Sequence, residues 1–155
     1  MYKVYHCSKE FRLRAESLGF GVSTALTKRI PSVFNQADKE SCAAILRGLF
    51  TTDGSISYCR TSNTDNTKIS YCSVSEELCN QVQQMLLRFG IKSRVSTQEP
   101  YTGHIRKCDI SCSKSYHLRI QGAESLNKFM SEIGFGLERK NKEVLQSHSR
   151  DLLPG

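Results

Sequence analysis

Nine residues constrain this 155-residue chain more than any others: Leu46-Arg47-Gly48-Leu49-Phe50-Thr51-Thr52-Asp53-Gly54, an apolar helical stretch with a glycine in its middle and one carboxylate at its end. Ala43, Ala44, Ile45, Leu46, Leu49 and Phe50 leave few polar side chains before Thr51, so the segment belongs inside the protein or in an interface. It is far too short to cross a bilayer. Gly48 costs about 1 kcal/mol relative to alanine in a helix interior, and its use there is to let another backbone approach closely. A partner helix is therefore expected. Asp53-Gly54 ends the helix and Ser55-Ile56-Ser57-Tyr58-Cys59 alternates as a strand does, which puts Asp53 at a helix-to-strand junction suited to a metal ion. The plain alternative is a packed helix closed by an Asp-Gly turn; it accounts for the dipeptide but not for the whole pattern.

The rest of the chain reads as α+β. A helix from Lys39 to Thr52 leads into strands near 55–60 and 68–73, joined by a polar turn over Thr61 to Thr67. Ser75 caps a helix over Glu76 to Arg88, with Leu78, Val82, Met85, Leu86 and Phe89 as its apolar stripe and Gly90 as its stop. Strands near 92–98 and 116–121 flank a polar, poorly patterned stretch from Pro100 to Ser113. A helix over Ala123 to Ile133 follows, and the tail after Leu145 has no clear period. There is also an internal similarity. Tyr2 to Gly21 and Tyr116 to Gly136 each run as an alternating stretch, a helical stretch and a close, on Leu18-Gly19-Phe20-Gly21 and Ile133-Gly134-Phe135-Gly136.

A chain of this length is one domain able to bury a core without staples. Its 22 Lys and Arg against 15 Asp and Glu give a net charge of +7, which favours a polyanionic partner. Cys7, Cys42, Cys59, Cys72, Cys79, Cys108 and Cys112 are odd in number and include no C-x-x-C pair, so reduced thiols are expected rather than zinc ligands or disulfides. His104 and His117 read as surface or strand residues. With no long apolar run, a soluble cytoplasmic protein that avoids membranes is expected.

The 46–54 segment resembles the second signature helix of the LAGLIDADG homing endonucleases, particularly the intein-encoded (DOD) type. Flanking blocks agree: Lys28-Arg29-Ile30-Pro31 before it, then Ser73-Val74-Ser75-Glu76-Glu77-Leu78, Leu86-Leu87-Arg88-Phe89-Gly90-Ile91, and Ile133-Gly134-Phe135 with Lys140 and Lys142. The resemblance runs from about Tyr2 to Leu145. It implies an αββαββα repeat with an antiparallel DNA-binding sheet, two repeats making a functional unit. This chain is then expected to hold the end of a first repeat (1–36), one complete repeat (37–146) and a tail (147–155). It would be the C-terminal part of a two-motif enzyme, without splicing termini of its own.

The resemblance further implies that Asp53, with Gly54, binds Mg²⁺ or Mn²⁺, and that Lys28 and Lys140 stand near the scissile phosphates, Arg139 and Lys142 being alternatives to Lys140. Ile45, Gly48, Leu49 and Thr52 would meet a second signature helix, from a homodimer partner or a complementary N-terminal fragment. Alternation from Asp53 puts Ser55, Ser57 and Cys59 on the DNA face and Ile56 and Tyr58 toward the core. Lys68, Ser70 and Cys72 join that face from the second strand and Arg94, Ser96 and Gln98 from the third, while Arg60, Arg106 and Lys107 serve phosphates. The implied activity is metal-dependent hydrolysis of double-stranded DNA. The rival readings are a non-cleaving DNA-binding module and an inactive remnant.

Overall fold

A computed structural model describes residues 8–21, 23–61, 64–105 and 108–150, with the side chains of 59–61, 64–66, 104, 105, 108 and 145–150 left undescribed. The expected strand within Tyr2 to Cys7 lies outside these residues. In order come α1 (Lys9–Ser17), a 3-10 turn (Ser32–Gln36), α2 (Lys39–Asp53), β1 (Gly54–Thr61), β2 (Thr64–Ser73), α3 (Glu76–Leu87), β3 (Ser93–Gln98), β4 (Tyr101–Ile105), β5 (Cys108–Cys112), β6 (Ser115–Gln121), α4 (Ala123–Glu132) and α5 (Glu138–Arg150). The protein is α+β with antiparallel strands throughout.

The α2 helix starts where Asp38 accepts hydrogen bonds from the Ser41 N–H and hydroxyl, both at 2.8 Å. It ends one residue later than its apolar pattern suggests, so that Asp53 is its last helical residue. Ser75 caps α3 as expected, accepting from the Leu78 N–H at 3.2 Å.

Four strands form one sheet in the order β1-β2-β6-β3. Ile69, Tyr71, Leu118 and Ile120 are buried on its inner face, against α2, α3, α4 and α5. β4 and β5 replace the poorly patterned stretch around 100–113. Pairing runs Gln98 to Ser115 in one sheet and Tyr101 to Cys112 in the next, so the two sheets are halves of one long hairpin, interrupted at Glu99-Pro100. Proline lacks the N–H that a ladder needs, which accounts for the break. The turn between β1 and β2 is also tighter than expected, because pairing continues to Thr61 and Thr64.

The core is centred on an aromatic chain. Phe50 of α2 meets Phe129 of α4 at 4.9 Å and Tyr71 of β2 at 5.5 Å between ring centroids, and Phe129 meets Phe135 at 5.3 Å. The chain after Leu145, without a period in sequence, instead continues α5. Its Val144 is buried while the acids and bases around it pair along the surface, Glu138 with Lys142 and Arg139 with Glu143. Such a helix shows only a thin apolar stripe. By contrast α1 buries no residue, and Phe11, Leu13 and Leu18 are exposed. Among the described residues, no helix is long and apolar enough to cross a membrane.

Phe50 links helix, sheet and α4, so Phe50→Ala should cost about 3–5 kcal/mol of stability, read from urea unfolding. A loss below about 1 kcal/mol would mean that the aromatic chain is not the organising part of the core.

Candidate functional site

The α2 helix packs one side and leaves the other bare. Cys42, Ala43, Leu46 and Phe50 are buried, whereas Ala44, Gly48 and Thr52 are exposed and Ile45 and Leu49 half-buried. A Cβ built on Gly48 would meet nothing within 4 Å. Within this chain the helix is therefore covered on one side, and small and apolar residues run down its open side, where an interface with a partner helix was expected. Thr52 keeps its hydroxyl on that helix, bonded to the Gly48 and Leu49 carbonyls.

At the end of this helix stands Asp53, exposed. Gly54 then turns the chain into β1. Its N–H donates to the Phe50 carbonyl, and an added Cβ would lie 2.3 Å from that same oxygen, so the turn closes only around glycine. Three distant groups tie the turn down. Arg47 Nε donates to the Ile133 carbonyl at 2.7 Å, the Gly136 N–H donates to Thr51 Oγ1 at 2.7 Å, and Lys140 Nζ lies 2.6 Å from the Gly54 carbonyl and 2.9 Å from that of Thr51. Thus the block at 133–142 closes on the end of α2. Burial, then repulsion from Arg139, lowers the Lys140 pKa, and the charges of Glu143 and Asp53 oppose this. Tyr71, beneath the turn, is pushed well up by burial and by the Asp53 charge. Arg139 and Lys142 are engaged by α5's own acids.

Lys28 is exposed, and its side chain has no hydrogen-bond partner among the described residues. Its backbone is fixed. The Lys28 carbonyl accepts from Ser75 Oγ at 2.7 Å, and the Gln81 amide bonds both the N–H and the carbonyl of Ile30. Ser75 lies just past β2, whose last residues flank the start of β1, so the 28–31 loop is anchored at the end of the sheet where Asp53 emerges.

The outer face follows the alternation. Ser55 and Ser57, then Lys68, Ser70 and Cys72, then Arg94, Ser96 and Gln98 share it, and the register adds a fourth row from β6: Ser115, His117, Arg119 and Gln121. That row was legible, because Tyr116, Leu118 and Ile120 alternate with it as core residues. Among the described side chains, these four strands carry three cations and no carboxylate on this face. Arg94 stands directly opposite Arg119, and the two line a concavity with Ser96 and Gln121. Like charges across a ladder are unfavourable unless an anion lies between them. Cys72 pairs with His117, Sγ to Nε2 3.7 Å, one step along from Gly54 and Tyr71. Tyr58 departs from the expectation: at 51 % exposure it lies at the rim beside α5, its hydroxyl pKa raised by partial burial and by Glu143. Cys59 and Arg60 lie on β1 with undescribed side chains, and Arg106 and Lys107 lie outside the described residues.

Asp53 supplies one oxygen ligand set, and no group of three or more metal-ligating side chains gathers among the described residues. One carboxylate suits Mg²⁺, which takes one or two from a protein and completes its shell with water and phosphate.

Comparison with known proteins bears on the whole arrangement. Residues 40–134 match the sequence profile described as a LAGLIDADG-like domain. The chain is 34% identical over 113 residues to a DNA polymerase of Thermococcus sp. (strain GE8), covering 73% of this chain and 6% of that protein. It is 31% identical over 108 residues to the replicative DNA helicase DnaB of Rhodothermus marinus, covering 69% and 10%. It is 29% identical over 143 residues to a replication factor C small subunit of Methanocaldococcus jannaschii, covering 92% and 7%. The chain thus spans a tenth or less of these relatives.

The two faces of the sheet make a chemical prediction. Cys72 is exposed, whereas burial encloses Cys79 and pushes its thiol up to about 11. Maleimide at neutral pH should therefore modify Cys72 at least about ten-fold faster than Cys79, read by peptide mass spectrometry. Equal rates would mean that Cys72 is not open, or Cys79 not enclosed, as the burial of the two requires.

Proposed function

Because the chain belongs to the family of LAGLIDADG-like domains, we propose that it is the DNA-binding and half-catalytic part of a homing endonuclease of the intein-encoded type, cutting double-stranded DNA with Mg²⁺ or Mn²⁺. The observation that carries this reading is one exposed carboxylate, Asp53, at the head of a basic sheet face that carries no acid among its described side chains. Such a face suits the major groove, which admits a two-stranded ribbon; Lys68, Arg94 and Arg119 would hold phosphates or guanine edges, and the serines and glutamines would read donors and acceptors. The matches support an inserted element. A polymerase, a helicase and a replication factor subunit differ as whole proteins, yet each matches this chain over a tenth or less of its length.

A bound divalent ion would offset charge on the leaving oxygen and lower the pKa of an attacking water. Asp53 would hold it, and the Lys28 loop would bring a further cation to the same end of the sheet. Gly54 is coupled to this through its turn, and its carbonyl is already occupied by Lys140.

The second acid must come from a second signature helix. The bare stripe of Ile45, Gly48, Leu49 and Thr52 is where that helix would pack, since a glycine in open space lets two backbones close on each other. On this reading 1–36 ends a preceding repeat, 37–146 is a complete repeat and 147–155 is a tail. The exposed apolar residues of α1 fit a unit separated from its own sheet: with Leu18 aligned on Ile133, Phe11, Ala15 and Phe20 correspond to Leu126, Met130 and Phe135, which pack in the second copy. A second copy of this chain or a complementary N-terminal fragment would complete the unit.

Asp53→Asn should abolish duplex cleavage by the completed unit while leaving DNA affinity within about three-fold, as gel shift and nicking assays would show. Equal loss of both would make the acid structural and favour a non-cleaving binding module. Light scattering on a random duplex should give two copies per duplex if the unit completes itself. A monomer on DNA would call for the separate fragment.

A further inference from the structure

Lys140 is 86 residues beyond Gly54 in sequence, yet its ammonium sits against the end of α2. An ammonium has three N–H donors. Three carbonyl oxygens receive them: Gly54 at 2.6 Å, Thr51 at 2.9 Å and Phe50 at 3.3 Å. The Phe135 ring covers the same group, its centroid 5.5 Å from Nζ. No proton is left to direct at a phosphate or a water while this arrangement holds.

The electrostatics of the helix end explain why a cation belongs there. The last carbonyls of a helix lack partners and carry its negative dipole end, where a carboxylate is disfavoured and a cation favoured. Asp53 is the last residue of α2, so the turn gathers negative charge from both sources. The Gly54 N–H satisfies part of one carbonyl, and Lys140 satisfies the rest.

We propose that Lys140 is a positioning residue: it holds the last turn of α2 closed across the helix-to-strand junction, and so fixes where the Asp53 carboxylate stands, without itself meeting DNA or water. Its service to Asp53 rests on the proposed metal site. The clamp does not, so it is tested without metal, DNA or cleavage.

Backbone amide exchange, followed by NMR on the whole chain, reads the clamp directly. In Lys140→Met the Gly54 amide should exchange at least about ten-fold faster, with the mid-helix amide of Leu46 within about two-fold of the parent, because only the terminal turn opens. Lys140→Arg, which keeps charge and donors, should restore the Gly54 rate. An unchanged Gly54 rate in Lys140→Met, or equal acceleration at Leu46, overturns the proposal. Should the methionine variant fail to fold, Lys140→Gln retains two donors on a neutral stem and is judged by the same pair of amides. DNA affinity against salt gives the second readout: the slope of log affinity should be unchanged in Lys140→Met, whereas a lysine that contacts phosphate would lower it by about one. A lowered slope overturns the proposal. Absence of any DNA binding by the parent chain would sink the functional reading and leave the exchange result to decide the clamp.

Discussion

A carboxylate at the C-terminal end of a helix stands where the helix's own dipole repels it. Everything around α2 is arranged to hold that unfavourable end in place. Phe50 anchors it from below in the aromatic chain, Gly54 lets the backbone turn within touching distance of the Phe50 carbonyl, and Lys140 brings a cation to the exposed oxygens. Arg47 and Thr51 bond back to the loop after α4, so the helix and the loop that delivers Lys140 are fixed together. Removing any one tie leaves others, which is how the acid can be held in a defined place.

The sheet divides the work between its faces. Its inner side buries Ile69, Tyr71, Leu118 and Ile120 and supplies the cohesion. The outer side carries serine, glutamine and basic side chains, and tolerates Arg94 facing Arg119. That opposition stabilises nothing in the free protein. An anion between the guanidiniums would relieve it.

The uncovered surfaces belong to the same logic. α1 has no buried side chain, and the free side of α2 shows a glycine with empty space above it. A helix of nine residues with no packed face is not held by propensity alone. Both features suit surface that a further repeat would cover.

Much of this was legible in the residues. Periodicity, the Ser75 cap and the Asp53-Gly54 break located the principal helices and the four-stranded sheet because each rests on local physics: a 3.6-residue stripe, a cap, a two-residue alternation. The alternation also assigned the outer face of three strands. It was less informative where burial is thin. Among the described side chains α5 buries one valine amid paired charges and the β4–β5 hairpin, with strands of five residues each, buries none, so neither gives a long period to read. Tyr58 sat at a core position by alternation and at the rim in fact, since the edge strand β1 ends beyond the cover that α5 gives.

The sequence by itself determined the fold class, the helix that ends in Asp53, and the basic balance. Tertiary structure alone decided that Lys28 is exposed and that Lys140 is bound to backbone oxygens. Lys28 and Lys140 look alike as letters; one projects from a loop pinned by its backbone, and the other has its three protons on carbonyls 86 to 90 residues away in sequence. Side-chain role at such a site is set by which backbone oxygens the fold brings within about 3 Å, and that distance is a property of long-range packing that local pattern does not encode.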